Sequence, residues 1–293
     1  MLTGTPDGDA GHVFAGDERV RRWCTAVETG GLGYGAAALT ALAELVADAR
    51  RAGDGPMAAL ATSTAASLYR QSGRHRDARA LDSRALAYVD AAGSSPRHAD
   101  SRWTRAALAD TLVNLAADNL GLLRFGVSHR LLERADVVLG RPQDLGEGPW
   151  LPDARCRLRL LWVRAEWALY TGDAKHAVEV AERAQAQLAD RADHGSERHR
   201  IKTGLVLAAA RAGAGQTEHA RQDASTVRDQ AAEAGLLPLC WAASSLLQGL
   251  GDAPDSGPGG PAPSTGASVI DLHRLLMERG MPFAVSYTHL RAH

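Results

Sequence analysis

The feature that most constrains the fold is a glycine followed at fixed distances by small residues. In SGRHRDARALDSRALAYV (72–89), Gly73 is followed by Ala78 and then by Ala85. Antiparallel helices approach closely only where small side chains face the contact. Because seven residues are close to two helical turns, Ala78 and Ala85 share one helix face. The spacing therefore predicts closely packed helix pairs joined by glycine turns. It recurs at Gly172, Ala177 and Ala184, and partly at Gly215 and Ala220.

The first helix of each predicted pair also carries a small residue, seven positions before the glycine, at Ala66, Ala165 and Ala208. A weaker copy spans residues 116–135, with Leu123 in place of the glycine. The weakest copy spans 25–45, through Tyr34 and Ala37, where the register is ambiguous by a residue or more. Five helix pairs follow from these copies.

Apolar residues recur at three- and four-residue intervals from about 17 to 250, and the breaks fall at Gly or Pro. This periodicity predicts eleven helices, at 17–29, 35–52, 56–71, 75–92, 99–123, 127–139, 152–171, 174–190, 196–212, 217–234 and 237–249. The predicted segments are a disordered start (1–15), the helical array (16–251), a flexible Pro/Gly linker (252–267) and a terminal helix (268–284) capped by Ser268 and stopped by Gly280. The last residues, VSYTHLRAH (285–293), resemble translated adapter read-through and are expected to be non-native.

This arrangement resembles the tetratricopeptide repeat (TPR) superfamily. The best matching unit contains Ala66, Tyr69, Gly73, Ala78 and Ala85. The resemblance implies an all-α, right-handed α-solenoid of about five antiparallel helix pairs plus a terminal helix. The unit length departs from the family, since the second-helix position recurs at 37, 78, 128, 177 and 220 rather than every 34 or so residues. An Ala-rich helical bundle without repeats stays open, because such a chain produces some Ala-to-Ala spacings of seven by chance.

The resemblance also implies that the first helix of each pair lines a concave, partner-binding face. The predicted partner-binding residues on these helices are Arg70, Gln71, Asn114, Arg159, Trp162, Glu166 and Tyr170. Arg and aromatic residues are the usual anchors of protein interfaces. The alternative is that Trp162 belongs to the core and that Arg159 is a solvated stem over it. Ser63 and Ser67 occupy places where some TPR domains hold a peptide carboxylate, so binding of chaperone tails is not predicted.

Composition narrows the function classes. Aromatic residues make up only 5% of the chain, which favours close helix packing over a sheet. The net charge of −1 gives no basic excess for nucleic acid, and no run of about 18 apolar residues would cross a membrane. The three separated cysteines form neither a disulfide framework nor a metal site, which is typical of a cytoplasmic protein. The Ala, Arg and Gly bias resembles an actinobacterial, GC-rich genome.

No sequence motif indicates catalysis, a metal or a cofactor: HExxH, GxSxG and GxxxxGK[ST] are all missing from the sequence. The sequence therefore predicts a non-enzymatic scaffold that binds a protein or peptide. A second hypothesis is a regulatory or sensory module that binds a signal peptide or small ligand and acts on a transcription regulator. An enzyme would need a closed polar pocket between helices 99–123 and 152–171, with a buried constellation of Glu, His or Arg.

Overall fold

The computed structural model describes residues 18–93, 102–140, 150–189, 196–251 and 268–283. Within these residues the chain forms twelve α-helices and no β-strand. They are α1 (Glu18–Gly31), α2 (Gly35–Arg51), α3 (Gly55–Gln71), α4 (His75–Gly93), α5 (Arg102–Gly121), α6 (Phe125–Leu139), α7 (Arg155–Tyr170), α8 (Ala174–Ala189), α9 (Glu197–Gly213), α10 (Thr217–Glu233), α11 (Leu237–Gly249) and α12 (Val269–Glu278). Every predicted helix is present, with its ends shifted by at most a few residues. The predicted disordered start, linker and non-native tail lie outside the described residues.

The turns explain why a glycine follows so many of the helices. Gly73 has a φ of 76°, a left-handed conformation that costs other residues more. This conformation lets the N–H of Arg74 reach back to the carbonyl of Tyr69 at 2.9 Å and close the end of α3. Leu123 occupies the same turn position after α5 with a φ of 58°, and it is the one non-glycine residue with positive φ among those described. The substituted copy of the repeat thus keeps the turn at a cost in backbone strain.

The small residues of the repeat face the helix contacts, as the spacing predicts. Ala66 on α3 and Ala78 and Ala85 on α4 are all completely buried. The equivalent residues of the other copies are buried as well: Ala116, Ser128, Ala135, Ala165, Ala177, Ala184, Ala208 and Ala220. Bulkier side chains at these places would force the helices of each pair apart.

The structure resolves the register of the first copy, which the sequence left ambiguous, and places the small residue one position after Ala37. Ala37 is exposed, whereas Ala38 is completely buried against the neighbouring helix. The reason is the turn: Gly33, with a φ of 90°, is the left-handed residue after α1, so the position five residues later is Ala38. In this register Ala26, seven residues before Gly33, takes the small position on α1 and is also buried.

Each helix packs against the next one in the chain, and the odd-numbered helices from α1 to α11 also pack against one another in sequence. Tight turns between consecutive helices make them antiparallel neighbours. The predicted all-α array of antiparallel helix pairs stacked in chain order is therefore confirmed, and the bundle without repeats is not what forms. The odd-numbered helices make up one continuous inner layer, which is the arrangement that the TPR resemblance implies.

Helix α12 joins the last helix of the array to the first pair. Ser268 caps it, accepting a hydrogen bond from the N–H of Asp271 at 3.1 Å, and Gly280 ends it with a φ of 77°, as predicted. Leu272 packs with the side chains of α11. At its other end, the carbonyl of Arg279 accepts a hydrogen bond from the N–H of Ala36 at 3.1 Å. The array is thus closed on itself rather than open at both ends.

Close backbone approach makes this closure possible. A Cβ on Gly35 would lie 2.6 Å from the carbonyl oxygen of Gly280, so only glycine fits there. The Arg279 guanidinium lies 4.2 Å from the centre of the Tyr34 ring and donates a hydrogen bond to the carbonyl of Leu32 at 3.1 Å. Leu32 in turn packs beside the turn between α10 and α11, at Gly235. The first and last units therefore touch directly as well as through α12.

Candidate binding cavity

The array surrounds a central, partly open cavity of about 1980 Å³. Its wall is made by residues of α1, α3, α5, α7, α9 and α11, with Leu276 of α12, His75 and Trp150 among those that complete it. On α5, α7 and α9 the lining residues recur mostly at three- and four-residue intervals. On α7, for example, Arg155, Arg159, Trp162 and Glu166 follow this spacing. Such a stripe lies on one side of a helix, so the opposite side of each helix is free to pack outward. The inner face is therefore set by helix periodicity and the order of stacking.

All seven predicted partner-binding residues line this cavity: Arg70, Gln71, Asn114, Arg159, Trp162, Glu166 and Tyr170. Their role in binding stays a prediction. Asn114 and Trp162 are only 1% and 7% exposed. Trp162 packs with apolar side chains of α8 and α9, as the alternative that assigns it to the core predicts. Tyr170 is 57% exposed and is the most accessible of the predicted anchors.

The first polar group of the wall, here called the Arg70 cluster, consists of Arg70, Asp82, Asn114 and Asp118. The Arg70 guanidinium donates to Asp118 and to Asp82, each at 2.6 Å, and to the Asn114 amide oxygen at 3.3 Å. Both carboxylates are completely buried. One guanidinium thus faces two carboxyl groups, and each of its three nitrogens donates a hydrogen bond within the protein.

The Arg70 cluster contains more carboxyl groups than guanidinium groups, and this imbalance affects the pKa of Asp82. Burial raises the pKa of Asp82 well above its ordinary value; Arg70 opposes this shift, and the neighbouring Asp118 adds to it. Two carboxyl groups that share one cation in a dry site do not both ionise readily. The raised pKa of Asp82 therefore reduces the acid excess of the Arg70 cluster without any added cation.

The second polar group, here called the arginine wall, consists of Arg155, Arg159 and Arg198. Arg155 donates to one oxygen of Asp110 at 2.7 Å, and Arg159 donates to the other. Arg159 also donates to the Asn114 amide oxygen at 2.6 Å, which joins the wall to the Arg70 cluster. The hypothesis that Arg159 is a solvated stem is therefore wrong, because Asp110 and Asn114 hold its guanidinium inside the wall.

Asp110 stays ionised between its two arginines. Burial alone would raise its pKa, but the charges and hydrogen bonds of Arg155 and Arg159 lower it below the ordinary value. A carboxylate held ionised in this way neither donates nor accepts a proton near neutral pH. The polar constellation between α5 and α7 thus exists, as an enzyme would need, but it consists of mutually paired charges.

An aromatic group adjoins the arginine wall at the start of α9. The His199 ring packs edge-on against Trp150, with centroids 4.8 Å apart, and stacks with Trp162 at 5.5 Å. The Trp162 indole donates to the Thr203 hydroxyl at 2.9 Å, which fixes the ring in place. This corner of the cavity presents flat apolar surface beside positive charge.

Ser196 and His199 form a hydrogen-bonded pair at this corner, a combination that also occurs in hydrolases. Burial, followed by the charges of Arg198, Arg155 and Arg159, lowers the pKa of His199 well below its ordinary value. An imidazole with so low a pKa is a weak general base. The pair is better explained as a local contact at the start of α9. Among the described residues no three His, Cys, Asp or Glu side chains are placed to hold a metal ion.

Sequence reasoning missed Arg155, Arg198, His199 and Lys202, which the cavity wall contains. A signal was available, because residues 198, 202, 205 and 209 continue on α9 the stripe that residues 155, 159, 162 and 166 form on α7. Extending the inner-face register from one unit to the next identifies Arg155, Arg198 and Lys202, but not His199, which lies beside the stripe. The part played by α12 had no such signal, since nothing in its own pattern indicates which unit it contacts.

Comparison with known proteins gives a likeness only at the level of folded structure. No protein-family model matches the chain, and none of the curated proteins matches it. Two solved structures of the nearly identical TPR-like repeats assigned to a kinesin light chain of Podosopora anserina are similar to it. One, which carries a single substitution, is 20% identical, covers 74% of this chain and 98% of its own, and has a TM-score of 0.42. The other is 20% identical, covers 73% and 95%, and has a TM-score of 0.41.

Both solved structures are only distantly similar to this chain. The contacts between its own helices establish its fold. Of the helices that the structure describes, none combines the length and the apolar character needed to cross a bilayer.

Proposed function

We propose that the chain is a non-enzymatic binding protein that holds a short peptide, or an extended segment of a partner protein, in its central cavity. The observation that carries the proposal is the cavity itself, about 1980 Å³ in volume and lined by the inner helices of every unit. Pockets for small molecules and cofactors are about 300–1,000 Å³. A space roughly twice that upper size suits a chain of several residues better than a single small metabolite.

The composition of the wall supports a peptide ligand. Tyr170 offers exposed aromatic surface, and Gln71 and Glu166 offer hydrogen-bonding groups, all facing the same space. A peptide presents apolar side chains together with backbone donors and acceptors, so both kinds of group have a use. Affinity is expected to come from a few anchors of this kind.

A cavity-filling substitution tests the proposal. The probe is an equimolar pool of random hexapeptides, captured on the immobilised protein and identified by mass spectrometry. Ala209→Trp places an indole on the cavity wall, whereas Ala186→Trp places one on the exposed outer face of α8. We expect the wild-type protein and A186W to retain a defined subset of the pool and A209W to retain at least tenfold less. Equal retention by A209W and A186W contradicts cavity binding.

The regulatory hypothesis is favoured by one specific feature, the position of α12, which reaches both the cavity and the first unit. Leu276 of α12 lines the cavity, and the carbonyl of Arg279 just after it accepts the hydrogen bond from Ala36, so a ligand that touches Leu276 would also affect the contact with the first unit. Binding would then be coupled to the position of α12, as a sensory module requires. Hydrogen exchange of the amides in residues 269–278, with and without a retained peptide, measures this coupling. Unchanged exchange favours a simple scaffold over a sensor.

A further inference from the structure

The arginine wall carries more positive charge than the described residues neutralise. Its three guanidinium groups have one carboxylate partner, Asp110, which pairs with Arg155 and Arg159. No described carboxylate lies within ion-pair distance of Arg198, and no described group forms a hydrogen bond with its guanidinium. Arg198 nevertheless lines the cavity rather than the outer surface.

From this arrangement we propose that Arg198, with Arg159 nearby in the wall, binds a carboxylate of the ligand in the central cavity. The proposal rests on the proposed function for its ligand class, because a peptide carries a carboxylate at its C-terminus and on Asp and Glu side chains. It does not depend on which peptide is bound.

The local geometry directs Arg198 inward. Its stem passes directly over Gly31, where a Cβ would lie only 3.0 Å from its Cδ atom, so the absence of a side chain at Gly31 provides the room. The neighbouring charges of the same helical turn are occupied elsewhere: Glu197 and Arg200 lie 3.9 Å apart and are both largely exposed. Arg198 is thus separated from the one carboxylate of its own turn.

The pKa of Arg198 agrees with a positive charge that has no partner among the described residues. Burial, followed by repulsion from Arg159 and Arg155, lowers the pKa of Arg198 to about 10. The group stays charged at neutral pH, but its charged form is disfavoured. The same three arginines lower the pKa of His199. A bound anion would relieve both effects, because an opposite charge favours the charged form of its neighbour.

Two other charges of the wall, Lys202 and Glu166, lie 3.6 Å apart and pair with each other. Glu28 also lines the cavity, but it is exposed and does not lie within ion-pair distance of Arg198. The aromatic rings of Trp150 and Trp162 pack on His199, the residue next to Arg198, and place apolar surface in this corner. A charge pair is stronger in such a site than in water, and a guanidinium matches a carboxylate with two parallel hydrogen bonds. The observations therefore favour a carboxylate over a cationic or uncharged end group.

Two small probes test the site directly: N-acetyl-Ala-Ala with a free C-terminal carboxylate, and the same dipeptide with a C-terminal amide. Their dissociation constants are measured by ligand-observed NMR on the full chain. We expect the acid to bind the wild-type protein at least about tenfold more tightly than the amide, as for one charge-assisted hydrogen-bonded contact. Arg198→Gln is expected to abolish the preference. Arg200→Gln, two residues away on an exposed position, is expected to retain it.

Several results would overturn the proposal: equal binding of acid and amide to the wild-type protein, a preference that survives in R198Q, or one that R200Q removes to the same extent. Tenfold tighter binding of inorganic phosphate than of the acid would also overturn it, in favour of a phosphate site. Retention of random hexapeptides without any preference for acids rejects the carboxylate site alone. Conversely, Arg198-dependent binding of the acid probe without hexapeptide retention supports the site and rejects the proposed function.

Discussion

The Arg70 cluster and the arginine wall are built from the same residue types but have opposite charge balance. In the Arg70 cluster one guanidinium faces Asp82 and Asp118, and the surplus acid is accommodated by a raised pKa at Asp82. In the arginine wall Arg155 and Arg159 share Asp110, and Arg198 has no partner among the described residues. The first arrangement is complete without a ligand. The second contains a guanidinium without a partner among the described residues, and this difference is the basis of the carboxylate site that we propose.

The largest expected effect comes from breaking the complete network. Arg70→Met leaves Asp82 and Asp118 buried without a cation, and removal of one partner from a buried ion pair typically costs about 3–5 kcal/mol. We expect the free energy of unfolding, measured by urea denaturation, to fall by that amount. Arg74→Met, which removes an exposed pair with Asp77 and a cation–π contact with Tyr69, is the control and should cost less than about 1 kcal/mol. Equal losses in the two variants would show that the Arg70 cluster is not structural.

A smaller loss is expected from Arg159→Met, because Asp110 keeps its hydrogen bonds from Arg155. The change removes the hydrogen bonds to Asp110 and to Asn114 and should cost about 2 kcal/mol. The free energies of unfolding of R159M and R70M are measured by urea denaturation under the same conditions. If R159M is as destabilising as R70M, the arginine wall is a structural network too, and the contrast between the two regions fails.

The pH dependence of stability should differ in sign between the regions. The pKa of His199 is lowered in the folded state, so the unfolded chain binds more protons, and stability falls as pH drops below about 6.5. The pKa of Asp82 is raised, so its contribution is present at low pH and is lost as pH rises above about 4 through the folded-state pKa.

Each group changes the slope by at most about 1.4 kcal/mol per pH unit. His199→Asn should flatten the decline below pH 6.5, whereas Asp82→Asn should lose least relative to wild type at high pH. Denaturation series from pH 4 to 8 for the three proteins make the comparison. A wild-type decline below pH 6.5 that H199N leaves unchanged would contradict the assignment to His199.

The smallest effect is expected at Arg198. The charged form of Arg198 is disfavoured in the folded protein, and no described residue forms an ion pair with it. Arg198→Met should therefore leave the free energy of unfolding unchanged or raise it by up to about 1 kcal/mol. Calorimetric or urea unfolding at neutral pH provides the value. A decrease of more than about 1 kcal/mol in the free energy of unfolding would show that Arg198 stabilises the fold, which contradicts the contrast with the Arg70 cluster.

Much of the array was predictable because its determinants are local. The Gly73–Ala78–Ala85 spacing identified the helix contact correctly, and periodicity placed the helices. The ambiguity at Ala37 arose where Gly31 and Gly33 both offered a turn, and only the backbone conformation shows that Gly33 is the left-handed residue. The candidate residues were placed on the correct face for the same reason, since an inner stripe follows from helix register.

What the sequence missed depends on contacts between residues far apart in the chain. Arg279 meets Leu32 across 247 positions, and no local pattern encodes that contact. Likewise, the charge balance of the arginine wall depends on which arginines reach Asp110. Arg155 and Arg159 do and Arg198 does not, although all three line the cavity. Burial and pairing of this kind are properties of the assembled cavity.

By itself, then, the sequence determined the helices, their pairing and the side each one turns inward, because these follow from spacings within a few turns of helix. Only the tertiary structure decided that the array closes on itself through α12 and that Arg198 has no carboxylate partner in the described part of the chain. Both depend on contacts between residues that are far apart in the chain, and the spacing within a single repeat does not encode such contacts.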